Sequence, residues 1–453
     1  MSSPVTNHAL DALLAQAAHD RSHAAFARQV NSAGAAAYGL VLRYDGASVY
    51  WWLRGRCPEQ PAPELIAQVL SRRLSRVVSI SELGFTRAHA LGDGLEFPAT
   101  VAEAVESAAG LWRRYSNGTP AAREVPFITA AASEAGWRWH FGPPDASVAR
   151  VAGRRVSMDD VEALRACSDQ FTDMDRRHGG GLARAMLADF LTRDVVPLLR
   201  GSYTDSTGRE LLAAAADMTG QAAFMSYDIG DHGAAQRAFI QALRLSKAAG
   251  DRTHGAHILA NMAVQAIFLN LPAEAVRLAR AAVEGAGRNP APAVTASLST
   301  VEANAHALAG DLHAYRTAYR RAERALGQID DSGPRWARYF TQAHLAGTAM
   351  RSLLDLGLPG EALTHQEAVL GVRVGNTRTL ALHTALTATV HARAGNIDQA
   401  AALAIQALRR ARHVRSRRVT ARITQLTAAL EPHRSAAGVA GYLDLVQSEA
   451  ATA

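Results

Sequence analysis

One turn recurs five times in the second half of this chain, at Gly230, Asn270, Gly310, Gly357 and Gly395, with successive separations of 40, 40, 47 and 38 residues. Small or apolar residues, with Gln366 the exception, follow each turn at the same offsets: Ala235, Phe239 and Ala242; Ala275, Ala279 and Ala282; Tyr315, Tyr319 and Ala322; Ala362, Gln366 and Val369; Ala400, Ala404 and Ala407. Those offsets share one face of a helix, and small side chains there let a second helix approach closely. From about Ala213 onward the chain is thus expected to stack pairs of helices. Aromatics are only 6% of the chain, alanine is abundant, and both facts argue for helices over a large β-sandwich.

The pattern of a turn glycine, a bulky residue two later, an alanine five later, an aromatic nine later and an alanine twelve later resembles the tetratricopeptide repeat. The usual period is about 34 residues. Here the period is longer, and the aromatic is kept only at Phe239 and Tyr319. The resemblance implies a curved solenoid whose concave face binds a peptide, a small ligand or a partner protein.

The N-terminal third reads differently. Leu10, Leu13, Leu14 and Ala17 mark a short helix, and Ser22 caps a second one that runs to Val30. Asn31-Ser32-Ala33-Gly34 reads as a turn. A third short helix fits Ala47 to Leu53, closed by Gly55, and a fourth fits Glu64 to Leu74. Short helices with one tight connection follow the helix-turn-helix plan. Val49, Trp52 and Leu53 then face inward, leaving Ser48, Tyr50 and Trp51 outward. From Arg21 to Arg76 there are eight arginines and three acids. Arg43, Arg54 and Arg56 bracket the third helix and could fix its register on phosphates. Ser22 and His23 open the second helix, where free amides can meet a phosphate. Arg28, Arg72 and Arg73 are further candidates, and Tyr44 joins the set on the connection.

Phe26-Ala27-Arg28-Gln29-Val30-Asn31, Arg43-Tyr44-Asp45 and Trp52-Leu53-Arg54-Gly55 resemble the DNA-binding module of actinobacterial regulators that join a repressor-type helix-turn-helix to tetratricopeptide repeats. The similarity continues through Gly179-Gly180-Gly181, Val195 to Gly201 and Tyr227 to His232, as far as about Val283. Peptide-sensing regulators with repeat-domain receptors are more distantly similar. The resemblance implies binding to double-stranded DNA as a homodimer. One departure bears on this: relatives carry polar or basic residues where this chain has Gly46, Ala47 and Trp51. The alternative is therefore an interaction scaffold whose module no longer reads DNA.

Polar residues on the first helices of the repeats are the expected lining of a concave face: Gln221, Asn261, Gln265, Glu302, Asn304, His306, Gln342, His344 and His383. Asn261 and Asn304 stand among small apolar residues, where an unpaired amide is costly. Arg409, Arg410, Arg412, Arg415, Arg417, Arg418 and Arg422 form the densest basic run. A solvated face, a nucleic-acid contact and an acidic partner are all open readings of it. Phe97 to Val148 reads as a connector with one helix, Val101 to Tyr115, broken at Asn117-Gly118-Thr119-Pro120. Gly179-Gly180-Gly181 reads as an elbow.

The 453 residues carry 48 basic against 41 acidic side chains, a formal net charge of +7, and Lys247 is the only lysine. Arginine abundance of that kind reads as codon bias rather than as nucleic-acid binding. With 48% hydrophobic residues the chain is globular rather than disordered. No apolar run is long enough to span a bilayer, no secretory leader is visible, and Cys57 and Cys167 make no disulfide framework. A cytoplasmic protein is the expectation. No His-Glu-x-x-His, Cys-x-x-Cys, Gly-x-Ser-x-Gly or P-loop appears, and no nearby acid or Cys completes a metal site with His254 and His257. No enzyme, metal or cofactor is expected. The chain thus reads as all-α: a helix-turn-helix domain over 1–97, connector helices over 98–155, a tetratricopeptide-like α-solenoid over 156–433 and a tail over 434–453.

Overall fold

The computed structural model describes residues 7–17, 22–38, 41–58, 61–76, 78, 81–85, 94–116, 125–330, 333–372 and 375–452. Among them the protein is all-helical, and its only extended pairings are isolated bridges between Arg150 and Tyr203 and between Arg155 and Ser202. Arg21, Glu59 and the expected helix break at 117–120 lie outside the described residues. The chain divides into two compact units, Met1–Asp93 and Gly94–Ala453.

The first unit holds α1 (His8–Gln16), α2 (His23–Tyr38), α3 (Gly46–Trp52) and α4 (Ala62–Leu74). Its core joins Leu10 and Leu13 to Phe26, Val30, Val49, Trp52, Leu65, Ile66, Leu70 and Phe85, so the inward residues are those with helical spacing. The turn expected at Asn31 to Gly34 is instead the middle of α2. The Asn31 amide is satisfied across the connection, donating to Tyr44 O at 2.8 Å and accepting from Tyr44 N at 3.0 Å. Gly34 stays helical because a Cβ there would meet Leu42 and Leu65, and this tight packing offsets the usual cost of a helical glycine, about 1 kcal/mol.

The second unit begins with α5 (Val101–Ser116) and α6 (Thr129–Phe141), which are packed into its core rather than strung out as a connector. α6 is a helix that the sequence pattern did not reveal. Next come α7 (Met158–His178) and α8 (Gly180–Phe190), a π-helical turn at Leu191–Val195 and α9 (Val196–Leu199). Helical hairpins follow: α10 (Asp205–Asp228) with α11 (His232–Ala249), α12 (Arg252–Phe268) with α13 (Pro272–Gly285), and α14 (Pro292–Leu308) with α15 (Leu312–Leu326). α16 (Gln342–Asp355) packs on the short α17 (Pro359–Leu363) and α18 (Gln366–Leu370), and α19 (Thr377–Arg393) pairs with α20 (Ile397–Ala411). α21 (Arg417–Leu430) and α22 (Ala437–Thr452) complete the chain described.

The recurring turn has a local cause. Gly230, Gly310, Gly357 and Gly395 have φ of 83°, 77°, 74° and 83°, and Asn270 has φ of 57°. Each stands between the two helices of a pair, in the left-handed region where glycine is unstrained and asparagine is the best tolerated substitute. Hairpin packs on hairpin in chain order, through the alanines at the repeated offsets.

α11 is buried on nearly every side because residues 94–116 and 125–128, with Asp145, fold over it. Gln241 donates to Gly94 O and Glu96 O at 2.9 and 2.8 Å, and Gln236 exchanges bonds with the Ile128 backbone. Arg244, 1% exposed, holds Asp145 at 2.9 and 3.0 Å and also donates to Pro98 O.

Candidate functional site

Two places gather the residues singled out by the sequence. The first is the surface around α3 in the N-terminal unit. Asp45 caps α3, accepting from Ser48 N at 2.8 Å, while Ser48 Oγ accepts from Asp45 N at 3.2 Å. This reciprocal bonding holds the Asp45 carboxyl below its ordinary value. Ser48, expected to reach a base or phosphate, is thereby committed to the helix start. Gly46 lies where α3 meets the start of α2, and a Cβ there would make only ordinary contact with Ala24, at 3.4 Å from its backbone nitrogen.

Tyr44 packs edge-on against buried Trp52, with ring centroids 5.1 Å apart, and belongs to the core as much as to the surface. Arg54 lies over the Tyr50 ring at 3.3 Å, and Arg73 donates to Gln29 at 2.8 Å. Ser22 Oγ accepts from Ala25 N at 3.3 Å, beside exposed His23. Trp51 is 50% exposed. Arg28, Arg43, Arg56 and Arg72 are exposed and have no ion-pair partner among the described residues.

The second place is a cavity of about 1450 Å³ in the second unit, walled by α7 and by the first helices of the successive pairs, α10, α12, α14, α16 and α19, with α21. Ordinary small-molecule sites occupy about 300–1,000 Å³, so this one is large. Gln221, Asn261, Asn304, His344 and His383 all reach it. Gln265 does not: its amide is buried and donates to His232 O at 2.9 Å. His306 and Glu302 stay outside, Glu302 taken by Arg321, and Gln342 is exposed at the start of α16.

Sequence reasoning missed most of the wall. Asp217, on α10, accepts from Ser168 at 2.8 Å and Gln221 at 3.1 Å, and has His254 Nε2 at 3.8 Å. It supplies an acid facing the His254 ring from another helix, which sequence spacing did not show. Burial would raise the Asp217 carboxyl, but nearby His254 and the bond from Ser168 hold it below its ordinary value. His257 stacks on Trp336 at 4.6 Å between centroids, and burial pushes it down to about 3. Neutral His257 can accept from Asn261 Nδ2 at 3.1 Å through Nε2, which leaves its Nδ1–H buried without a partner. Gln221 Oε1 and Trp336 Nε1 are likewise unpartnered. Among the described residues no cluster of three or more His, Cys, Asp and Glu could hold a metal ion.

His257 makes a pH prediction. Its folded value is depressed, so its neutral form favours folding at full strength above the unfolded value of 6.5, and that contribution is lost as pH falls toward 3. Urea unfolding at pH 5 should therefore show about 2 kcal/mol less stability than at pH 7 from this group alone. His257→Asn should remove that part of the slope, and an unchanged slope would show that the ring is not buried as a neutral group.

An ion network joins the cavity's first wall to its last. Arg378, on α19, reaches Asp175 on α7 at 2.6 Å and Asp228 at the end of α10 at 3.5 Å. Asp228, fully buried, also accepts from Ser416 at 2.9 Å and from Gly180 N at 3.1 Å, and has Arg418 at 3.5 Å. Burial opposes the Arg378 charge, but its two carboxylates hold it above the ordinary arginine value. The backbone joins there too, Arg415 N donating to His178 O at 2.8 Å and Gly181 N to Arg415 O at 3.2 Å. The arginine run is thus divided. Arg418 and Arg422 turn into the cavity and Arg412 pairs with Glu449, while Arg409, Arg415 and Arg417 stay exposed.

No helix among the described residues is long and apolar enough to cross a membrane. No curated protein and no solved structure matches the chain. Residues 10–86, within the first unit, match the family model described as the SP15 N-terminal domain.

Proposed function

We propose that this protein is a DNA-binding transcriptional regulator of the helix-turn-helix and tetratricopeptide-repeat type, working as a homodimer in the cytoplasm. One observation carries the reading: a single chain joins a small helical unit, four of whose exposed arginines have no ion-pair partner among the described residues, to a helical unit with a large cavity lined by both polar and apolar groups. In this reading Arg28, Arg43, Arg56 and Arg72 place the first unit on phosphates, with α3 in the major groove. The cavity takes the signal, a small ligand, peptide or partner segment. Signal binding shifts the population between arrangements of the two DNA modules. The chain needs no catalytic group for this.

The test is selection of DNA from a random pool by the purified chain, followed by salt titration on the recovered sequence. With four arginine–phosphate contacts in each of the homodimer's two modules, affinity should fall roughly ten-thousandfold between 50 and 200 mM salt. Arg43→Ala, which removes one contact from each module, should lower the logarithmic salt slope by about two. Failure to enrich any sequence, with and without cell extract, would sink the proposal.

A second reading is favoured by Ser48 and Trp51. The first is spent on capping, and the second is half exposed, as suits a protein contact more than a groove. The protein is then a scaffold, and its module should bind a protein partner with a weak salt dependence.

A further inference from the structure

The chemistry of the cavity wall is lopsided. Every carboxylate that lines it is satisfied by the protein itself. Asp169 pairs with Arg335, Asp173 with Arg177, Glu210 with Arg165 and Asp175 with Arg378. Asp217 is tied to Ser168 and Gln221, and Asp251 caps α12 through His254 N at 2.9 Å. The arginines are not all so matched. Arg176 and Arg422 are half-buried and line the cavity, yet neither has a carboxylate at ion-pair distance among the described residues.

Arg176 directly follows Asp175 on α7, and Arg422 is one turn beyond Arg418 on α21, so the two flank the ion network from its two ends. Arg422 is further opposed by neighbouring Arg351, and burial with that repulsion pushes it down to about 9. Arg351 is already engaged by Asp355, and Arg418 by Asp228 and the Tyr227 ring at 4.9 Å. A half-buried cation beside other cations is costly unless something negative arrives. The wall also carries three aromatic side chains, Phe224, Trp336 and Tyr339.

We propose that the cavity binds a small organic anion, its carboxylate or phosphate held by Arg422 and Arg176 and its body lying on Phe224, Trp336 and Tyr339. This rests on reading the cavity as the signal site and names the chemical class of the signal. Arginine suits both oxyanions because its planar fork can make paired bonds to either.

The full chain is titrated calorimetrically with 1-naphthyl phosphate, 1-naphthoate and neutral 1-naphthalenemethanol, which share one flat body. At least one anion should bind once per chain and at least tenfold more tightly than the alcohol. A phosphate preference points to a phosphorylated ligand and a carboxylate preference to an organic acid. Arg422→Gln and Arg176→Gln should abolish the preference for the anion, while Arg422→Lys should keep it. The two glutamine variants, unliganded, should melt no lower than the parent and up to about 3 °C higher, because an uncompensated charge has been removed. A purely structural role would lower the melting temperature instead.

Equal affinity for the alcohol, no binding of any of the three probes, or a preference retained in both glutamine variants overturns the proposal. DNA affinity measured on the same samples separates it from the regulator reading. Anion binding that leaves DNA affinity unchanged refutes the coupling but not the ligand class. A DNA response to cell extract without an anion preference refutes the ligand class alone.

Discussion

Arg378→Leu should lower the unfolding free energy by about 3–5 kcal/mol, the largest electrostatic effect expected for any single change here. The substitution removes the one guanidinium shared by Asp175 and Asp228, and leaves two buried carboxylates facing each other. Asp228 would retain Ser416 and Gly180 N as donors, with Arg418 at 3.5 Å, whereas Asp175 would lose its one ion-pair partner among the described residues. The sign should reverse in the right background. Adding Asp175→Leu to Arg378→Leu should recover more than half of the loss, because an apolar pair can replace a buried ion pair with little penalty. Chemical denaturation of the four proteins of this cycle measures it. A cost below about 1 kcal/mol for the single change would mean that the network is hydrated and contributes as a surface pair does.

Trp139→Ala should cost a similar amount, about 3–5 kcal/mol, for a different reason. Trp139 fixes α6 to the hairpin of α12 and α13 by entering a notch floored by two glycines. A Cβ on Gly255 would stand 2.4 Å from its indole nitrogen, and one on Gly285 would stand 2.2 Å from its ring. Gly285→Ala should therefore destabilise the parent by about 1–3 kcal/mol, but cost much less in the Trp139→Ala background, where the notch is empty. Additive costs in thermal or urea unfolding would show that the glycines answer some other need.

Trp139 also shows why α6 escaped sequence reading. Trp137 and Phe141 on the same helix are 65% and 63% exposed, so the apolar residues do not trace one buried stripe. What makes the helix a packed element is a pair of glycines more than a hundred residues downstream. The recurring turns were legible for the opposite reason, because a positive φ is a local demand that a single residue type announces. α3 was legible to within a residue, since Asp45 and Ser48 form its cap and Val49 and Trp52 its buried face. Asn31 to Gly34 misled because their local preference for a turn is overruled by Tyr44, Leu42 and Leu65.

The cavity was half legible. Helical periodicity marked which helices offer polar residues, and so led to Gln221, Asn261 and Asn304. It could not separate them from Gln265, because whether an amide faces a cavity or a neighbouring backbone carbonyl depends on the partner helix. The arginines were the least readable. In a chain where nearly every basic residue is arginine, abundance hides the few that matter. Asp175 and Arg378 lie 203 positions apart, beyond any pattern of spacing.

That separation has a consequence during synthesis. Asp175 and Asp228 leave the ribosome long before Arg378, Ser416 and Arg418. At about 5–20 residues per second, Arg378 follows Asp175 after some 10–40 seconds. Through that interval the nascent chain holds two carboxylates destined for burial and no counter-ion for them. Its early hairpins can form, but they cannot dehydrate Asp228 or close the wall. A product truncated before Arg378 would keep that open edge indefinitely and remain a natural substrate for proteases. Completion of the chain, rather than folding of its first half, is the event that closes the cavity wall.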